Sequence, residues 1–389
     1  MAAILPSTIA DVRIEAYRVP LVRPWVSAAH AITHHEHILT TITLENGTTG
    51  TGFSSTMGVG GIAVAALARS YLAPLCIGRD VFDHENLWWT LWRRCHQPGA
   101  NGIGALAVTG FDLALWDLRG KLLDVPVRKL IGGAATTVPV YASGVNLHLS
   151  EDELVEQTRS FRDAEYKLFK IKVGRPYPAE DVSRVAAIRA VIGDAPLMLD
   201  ANQGWKPGEA QRRIAMFERV DPVWMEEPMA SDDADSHARL AEQSRIPIAL
   251  GETLSTRFEF WRYISSKAVS YLQPNVLKVG GISEWLKIAH LGMTANLTIA
   301  PHGVLETSAI LATAIPGCYP VENIDGGAFT DQGILEEPVT IENGLLTLPE
   351  RPGLGITFDR SAMERHKVDA ETVVAPVDPK RFYKDNDKQ

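Results

Sequence analysis

The chain has 389 residues, 46% hydrophobic and 22% charged, the balance of a globular protein with room for a barrel of about 250 residues and a second domain. A net charge of −9 and a pI near 5.7 argue against a nucleic-acid or anionic-membrane surface, so an anionic substrate must be held by local cations or a metal. Cys76, Cys95 and Cys318 are far apart and odd in number, which implies neither a disulfide framework nor a zinc knuckle and suits a reducing cytoplasm.

In chain order, MAAILPSTIADVRIEAY meets a proline and an aspartate too early for a signal peptide. Val12 to Leu21 and His37 to Glu45 read as strands, with a turn at Asn46-Gly47, and VRPWVSAAHAITHH between them reads as a loop rich in polar and aromatic side chains. Helical patterns follow over Gly61 to Leu75, His84 to Arg94 and Ala105 to Leu122. The stretch Gly61 to Gly78 carries Arg69 and Ser70 near its middle and reads as a buried helix, not a membrane span. This α+β region ends near Gly132 to Thr137.

From Val138 strand and helix alternate: VPVYASG, KLFKIKVG, PLMLDAN, VWMEEP, PIALGET, SYLQPN, LTIAPH and the stretch before Glu322. Eight such units favour a TIM-type barrel over an open doubly wound sheet, and the first unit lacks the Gly-x-Gly-x-x-Gly turn of a dinucleotide fold. After Asn343 the chain looks extended again and is expected to rejoin the first region. The expected division is 1–132, 133–342 and 343–389, with a polar tail.

Within the barrel region Asp200, Glu226 and Glu252 recur at 26-residue intervals, each at or just past a short apolar strand. Residues at the C-terminal ends of parallel barrel strands converge on one mouth, where three oxygen ligands would hold a hard divalent cation, most plausibly Mg²⁺. Any one of these acids alone is better read as a helix cap; three in phase favour the metal.

Lys170 and Lys172 in FKIKVG share a strand face, and mutual repulsion with burial is expected to lower both pKa values, leaving a lysine able to act as a base. Asn202, two residues past Asp200, is a secondary contact. His302 in TIAPHG sits at a strand end facing the lysines, and Glu322 occupies the eighth-strand position. Three apparent motifs carry less. GVGG (Gly58 to Gly61) lacks a phosphate-loop ending, and WWTLWRR has the spacing of a packed helix face. In HHEH (His34 to His37) alternation lets at most part join one site.

The helix ALAVTGFDLALWDLRGKLLDVPVRKLIGG followed by FKIKVG, LDANQGW, WMEEP, GET, VGGISEW and APH, in that order, resembles the enolase superfamily, in its mandelate-racemase-like branch. The resemblance covers most of the chain. It implies an α/β fold, a modified TIM (β/α)8-type barrel, capped by an α+β domain built from both chain ends. It also implies Mg²⁺ on Asp200, Glu226 and Glu252, Lys172 as base with Lys170 beside it, His302 as acid/base on the opposite face, and Glu322 donating a hydrogen bond to the enolate; a lysine or histidine base beside Mg²⁺ is the arrangement this superfamily uses. The branch's usual aspartate partner of the histidine is Asn275 here, expected to orient His302 through its oxygen while leaving it less basic.

The reading that follows is a Mg²⁺-dependent dehydratase of an aldonate or aldarate giving a 2-keto-3-deoxy acid, with Trp25, His30 and His34 of the capping loop touching hydroxyls. The alternatives are a racemase or epimerase of a 2-hydroxy or amino carboxylate, and a non-catalytic relative that only binds a carboxylate and metal. The expected partners are a small-molecule carboxylate and further copies of the chain, from dimer to octamer, with neither nucleic acid nor membrane.

Overall fold

The computed structural model describes residues 6–28, 30–369 and 382; the polar tail beyond Asp369 otherwise lies outside the described residues. Three antiparallel strands come first, β1 (Ile9–Val26), β2 (Ala31–Leu44) and β3 (Thr49–Thr56). The loop expected over Val22 to His35 is largely strand, and only residues 27–30 separate β1 from β2. Pro24 falls within a register shift between Pro20 and Trp25, while Pro20 stays in register with His34, which is how a proline-bearing segment persists as strand. Three helices follow: α1 (Gly61–Leu67) and α3 (Ala105–Leu122) pack on this sheet, and α2 (His84–Gly99) packs on α3. The first is shorter than expected, because the backbone widens over Ala68–Leu72 and tightens over Ala73–Leu75, where Pro74 lacks a donor.

Nearly all of α3 is buried, since one side meets the sheet and the other meets the barrel, as a helix apolar all round requires. Eight parallel strands form that barrel: β4 (Thr137–Ser143), β5 (Phe169–Lys172), β6 (Leu197–Asp200), β7 (Met225–Glu226), β8 (Ile248–Leu250), β9 (Tyr271–Leu272), β10 (Thr298–Ile299) and β11 (Val321–Ile324). They pair in sequence order from β4 to β10, and β11 returns to pair with β4. The remaining seam carries a hydrogen bond from Tyr319 N to Ile299 O, 2.8 Å. Inside the barrel Tyr141, Trp224, Tyr271 and Tyr319 pack edge-on or tilted, with Trp224 and Tyr319 ring centres 4.8 Å apart. This aromatic layer closes the space beneath the strand ends.

The last strands are β12 (Ile341–Glu342), β13 (Leu345–Thr347) and β14 (Lys367–Val368). The hairpin of β12 and β13 pairs with barrel strand β4, and the chain beyond it adds β14 to the first sheet, beside β1. Among the described residues, no helix is long and apolar enough to cross a membrane.

The two layers dock through a polar knot. Asp112 Oδ2 accepts from Ser283 N at 3.1 Å, and its Oδ1 accepts from Ser283 Oγ at 2.6 Å and from His84 Nε2 at 2.9 Å. The Trp116 indole donates to Ser283 Oγ and the Trp88 indole to Gly280 O. At Gly281 φ is +100°, and a Cβ there would overlap the Asp112 carboxylate, so only glycine lets the two approach. Thr109 Oγ donates to Leu277 O at 2.8 Å, which fixes the loop that follows β9.

Glu306, in the helix Leu305–Ala312, is 2% exposed and accepts from Thr330 N at 3.0 Å. Burial pushes its carboxyl up to about 7. Between the unfolded value of 4.5 and about 7 the folded state binds more protons, so stability falls as pH rises through that window. Glu306→Gln removes the penalty. It is expected to stabilise the protein by about 1–3 kcal/mol at pH 8 and much less at pH 5, as thermal melts at the two pH values would show.

Candidate active site

The barrel ladders place the charged groups in a row. On β5, β6 and β7, Lys172 stands beside Asp200 and Asp200 beside Glu226. Glu252 lies just past the end of β8. Asn275 and His302 face each other as an isolated bridge past β9 and β10, and Glu322 on β11 pairs with Tyr141 on β4. The sequence-derived set therefore converges at the C-terminal ends of the strands.

Ion pairs knit the set together. Lys172 Nζ meets Asp200 Oδ2 in a short contact. Lys170 Nζ lies 2.8 Å from Glu226 Oε1, 2.6 Å from Glu322 Oε1 and 3.6 Å from Asp200 Oδ2. His302 Nε2 is 2.8 Å from Glu252 Oε2 and 3.5 Å from Glu322 Oε2. The second Glu226 oxygen accepts from the Trp224 indole and from Gln273 Nε2. Asn202, at φ +40°, donates its backbone N–H to Asp200 Oδ1 at 2.8 Å, so it steadies a carboxylate.

These contacts reverse three expectations about charge. Burial alone would lower both lysines. For Lys170 the carboxylates of Glu226 and Glu322 outweigh it and hold the pKa well above the usual range; for Lys172 Asp200 outweighs it and raises the pKa. Mutual repulsion is the smaller effect because an anion touches each ammonium. Burial likewise works against charge on His302, but Glu252 raises its pKa above the usual value. The charge missing from Asn275 is thus supplied at the other ring nitrogen. Glu322 is also driven towards its anion: Lys170 and His302 overcome burial and lower its pKa, so here it accepts where a donor was expected.

Asn275 orients the histidine, though by its other end. Its Oδ1 accepts from Leu277 N at 3.0 Å, which turns the amide nitrogen towards His302 Nδ1, 3.2 Å away. A backbone N–H can only donate, so the end at Leu277 is the oxygen and the end at His302 the nitrogen.

The tip between β1 and β2 covers this mouth. Val26 N donates to Val145 O, Leu147 N donates to Val26 O, and Ala28 packs against Gly204, where a Cβ would come within 2.8 Å of it. Trp25 lines the cavity, but its indole N–H already donates to Asp325 O at 3.2 Å, so it offers substrate an apolar wall and not the hydroxyl contact expected of it. His30 lies where protein packing lowers its pKa and where the charges of Glu252, Lys172 and Asp200 reach it.

His34 is a correction. Alternation along β2 turns it away, and it takes a 3.4 Å contact from Thr33. The histidines that line the cavity are His35 and His37. The cavity is also bounded by Met57, Leu277, Lys278, Phe329 and the polar groups Asn275, His302 and Glu322. Lys278 went unnoticed in sequence, although it lies three residues past Asn275.

The donor chemistry fits a hard cation. Asp200, Glu226, Glu227 and Glu322 are almost wholly buried, with Glu252 beside them, against the ammonium groups of Lys170 and Lys172. Burial and then the neighbouring charge of Glu226 raise Asp200 to about 6, and burial with Glu252 raises Glu227 well above the usual carboxylate range. Such a surplus of buried carboxylates is relieved by a divalent ion with oxygen ligands. Ligand atoms of Glu226, Glu252 and His302 already lie within 4.8 Å of one another, while Lys172 and Lys170 engage Asp200.

Comparison with known families is decisive. Residues 9–132 match the "Mandelate racemase / muconate lactonizing enzyme, N-terminal domain" family, and residues 153–362 match "Enolase C-terminal domain-like". The chain belongs to the enolase superfamily. It is 34% identical to a 3,6-anhydro-alpha-L-galactonate cycloisomerase of Streptomyces coelicolor, over 91% of this chain and 98% of that protein. It is 32% identical to the L-talarate/galactarate dehydratase of Salmonella typhimurium, over 90% and 89%. The crystal structure of L-talarate dehydratase from Polaromonas sp. JS666, complexed with Mg and L-glucarate, superposes with a TM-score of 0.87 at 35% identity, covering 93% of this chain and 98% of that one.

Within this superfamily chain the motifs divide by task. VGGIS and FDLALW dock the cap on the barrel, whereas FKIK, LDAN, MEEP, GET and APH carry charge to the mouth.

Proposed function

We propose that this protein is a Mg²⁺-dependent dehydratase of an acid sugar, an aldonate or aldarate, yielding a 2-keto-3-deoxy acid. The observation that carries the reading is Lys172 set against Asp200, in register with Glu226, in a charged cluster that His302 and Glu252 complete under the capping hairpin. The dehydratase and cycloisomerase relatives act on molecules of this class by name, and L-glucarate accompanies Mg in the Polaromonas structure.

Asp200, Glu226 and Glu252 would hold the metal, whose charge offsets that developing on the substrate carboxylate as the α-proton leaves. Lys172 takes that proton once its ammonium is released from Asp200 and deprotonated. Lys170, fixed by Glu226 and Glu322, stays a permanent cation and favours the new negative charge. His302, with a raised pKa, is suited to hand a proton to the departing β-hydroxyl. Each step uses a group already positioned by strand register.

Mg²⁺-loaded protein incubated with a panel of aldonates and aldarates is expected to form keto acid on at least one, with chelation abolishing it. Silence across the panel with activity on another carboxylate would overturn the reading. A second reading, racemisation or epimerisation, is favoured by two proton-transfer groups, Lys172 and His302, whose charges both reach Glu252 in one cluster. Deuterium entering the α-carbon without keto acid would select it, and absence of exchange with every ligand would leave only a binding protein. We further propose a cytoplasmic homo-oligomer; the unpaired cysteines Cys76, Cys95 and Cys318 support a reducing compartment.

A further inference from the structure

The histidine pair that replaces His34 at the cavity is wired in a specific protonation pattern. His35 and His37 share one face of β2 and form an edge-on row with Trp25 and Phe329: Trp25 to His35 4.9 Å, His35 to His37 5.7 Å, His37 to Phe329 5.2 Å between ring centres. Both rings are buried, at 8% and 1% exposure. Between them sits Gln332. Its Nε2 donates to Gly327 O at 2.9 Å and lies 3.2 Å from His35 Nδ1, while its Oε1 lies 2.7 Å from His37 Nε2.

The Gly327 carbonyl can only accept, so it fixes which end of the amide is nitrogen. The rest follows. Gln332 donates to His35 Nδ1, which must be unprotonated, leaving the proton of the neutral ring on His35 Nε2. The Gln332 oxygen accepts from His37 Nε2, leaving a lone pair on His37 Nδ1. Burial holds both rings neutral, pushing His35 down to about 3 and His37 to about 4. Among the described residues, His35 Nε2 and His37 Nδ1 are buried with no hydrogen-bond partner, and both rings line the cavity that holds His302, Asn275 and Glu322.

We infer that His35 and His37 form a hydroxyl-reading subsite, one presenting a fixed N–H donor and the other a fixed acceptor to the substrate's distal hydroxyls. A hydroxyl both donates and accepts, so it can satisfy either nitrogen. A carboxylate would leave the His37 lone pair unanswered, an ammonium would leave the His35 N–H unanswered, and an apolar group would leave both. Neutral rings read hydroxyls without adding charge near the cluster at the mouth. The inference rests on the acid-sugar reading and adds to it a requirement for hydroxyls remote from the reacting carbon.

The test uses full-length, Mg²⁺-loaded protein with galactarate as probe. Two-bond ¹⁵N–¹H spectra of labelled histidine are expected to show His35 and His37 as Nε2–H tautomers that do not titrate between pH 5 and 8. Adding galactarate is expected to move the His35 Nε2 and His37 Nδ1 resonances. His35→Phe should raise KM about tenfold, the loss of one neutral hydrogen bond, with a smaller fall in kcat. Gln332→Leu, which leaves both rings in place, should mix the tautomers and raise KM as well, and so covers a misfolded His35 variant. An Nδ1–H tautomer at His35, a titration inside that range, or keto acid formed by His35→Phe with unchanged KM would overturn the subsite. Galactarate that shifts both histidines in wild-type protein yet yields no keto acid would sink the dehydratase reading alone.

Discussion

Lys172→Ala is expected to reduce exchange of the substrate's α-proton by about 10³-fold, within the range assigned to a positioned general base, while Mg²⁺ binding survives. The two outcomes have one cause. The Lys172 ammonium occupies Asp200 Oδ2, competing with a cation for that oxygen, so its removal leaves the carboxylates more available to metal. The fold is little disturbed, because the tie of this residue to Asn146 runs through its backbone N–H and survives alanine. Lys170 does not substitute for it, being held by Glu226 and Glu322 at 2.8 and 2.6 Å. Deuterium uptake followed by NMR in D₂O, with calorimetric titration of Mg²⁺ into the same preparation, checks both. Exchange within tenfold of wild type would remove Lys172 from the role of base.

Where the sequence was legible, period and spacing carried the information. The barrel strands are apolar runs ending in charge, and the 26-residue interval of Asp200, Glu226 and Glu252 is one strand–helix unit, so convergence at one mouth followed from topology alone. The hairpin over that mouth was harder. Pro20 and Pro24 break the strand pattern in β1, and the register shift that takes up Pro24 has no signature of its own. Strand alternation alone separates the histidines: it puts His35 and His37 on one face and His34 with Glu36 on the other. Glu36 indeed points away, to Arg18, Thr56 and Gly61 N.

Charge states were the least legible. Adjacent lysines in sequence suggest repulsion, but the partners that decide their pKa, Glu226 and Glu322 for Lys170, are 56 and 152 residues distant in the chain. The basicity of His302 was read from Asn275 alone, whereas Glu252 at 2.8 Å governs it. Sequence gives the inventory of groups, and only strand order gives the pairs. The same limit hid Gln332, whose contacts to His35 and His37 span nearly 300 residues.

Asp112→Ala is expected to cost about 3–5 kcal/mol of stability, the range for a buried charge partner removed from its donors. Three donors converge on this carboxylate: Ser283 N, Ser283 Oγ and His84 Nε2. Alanine leaves them buried, each at about 1–3 kcal/mol if no water enters. It also opens a gap against Gly281, whose backbone approaches so closely that no Cβ fits. The damage should extend to the site, because Gly281 N donates back to Val276 O in the turn that carries Asn275 and Lys278. Asp112→Asn, which retains the shape and one acceptor, should lose less than half as much. Urea denaturation of the three proteins checks the ranking. An alanine variant as stable as wild type would mean that apolar packing of α3, and not this knot, holds the cap on the barrel.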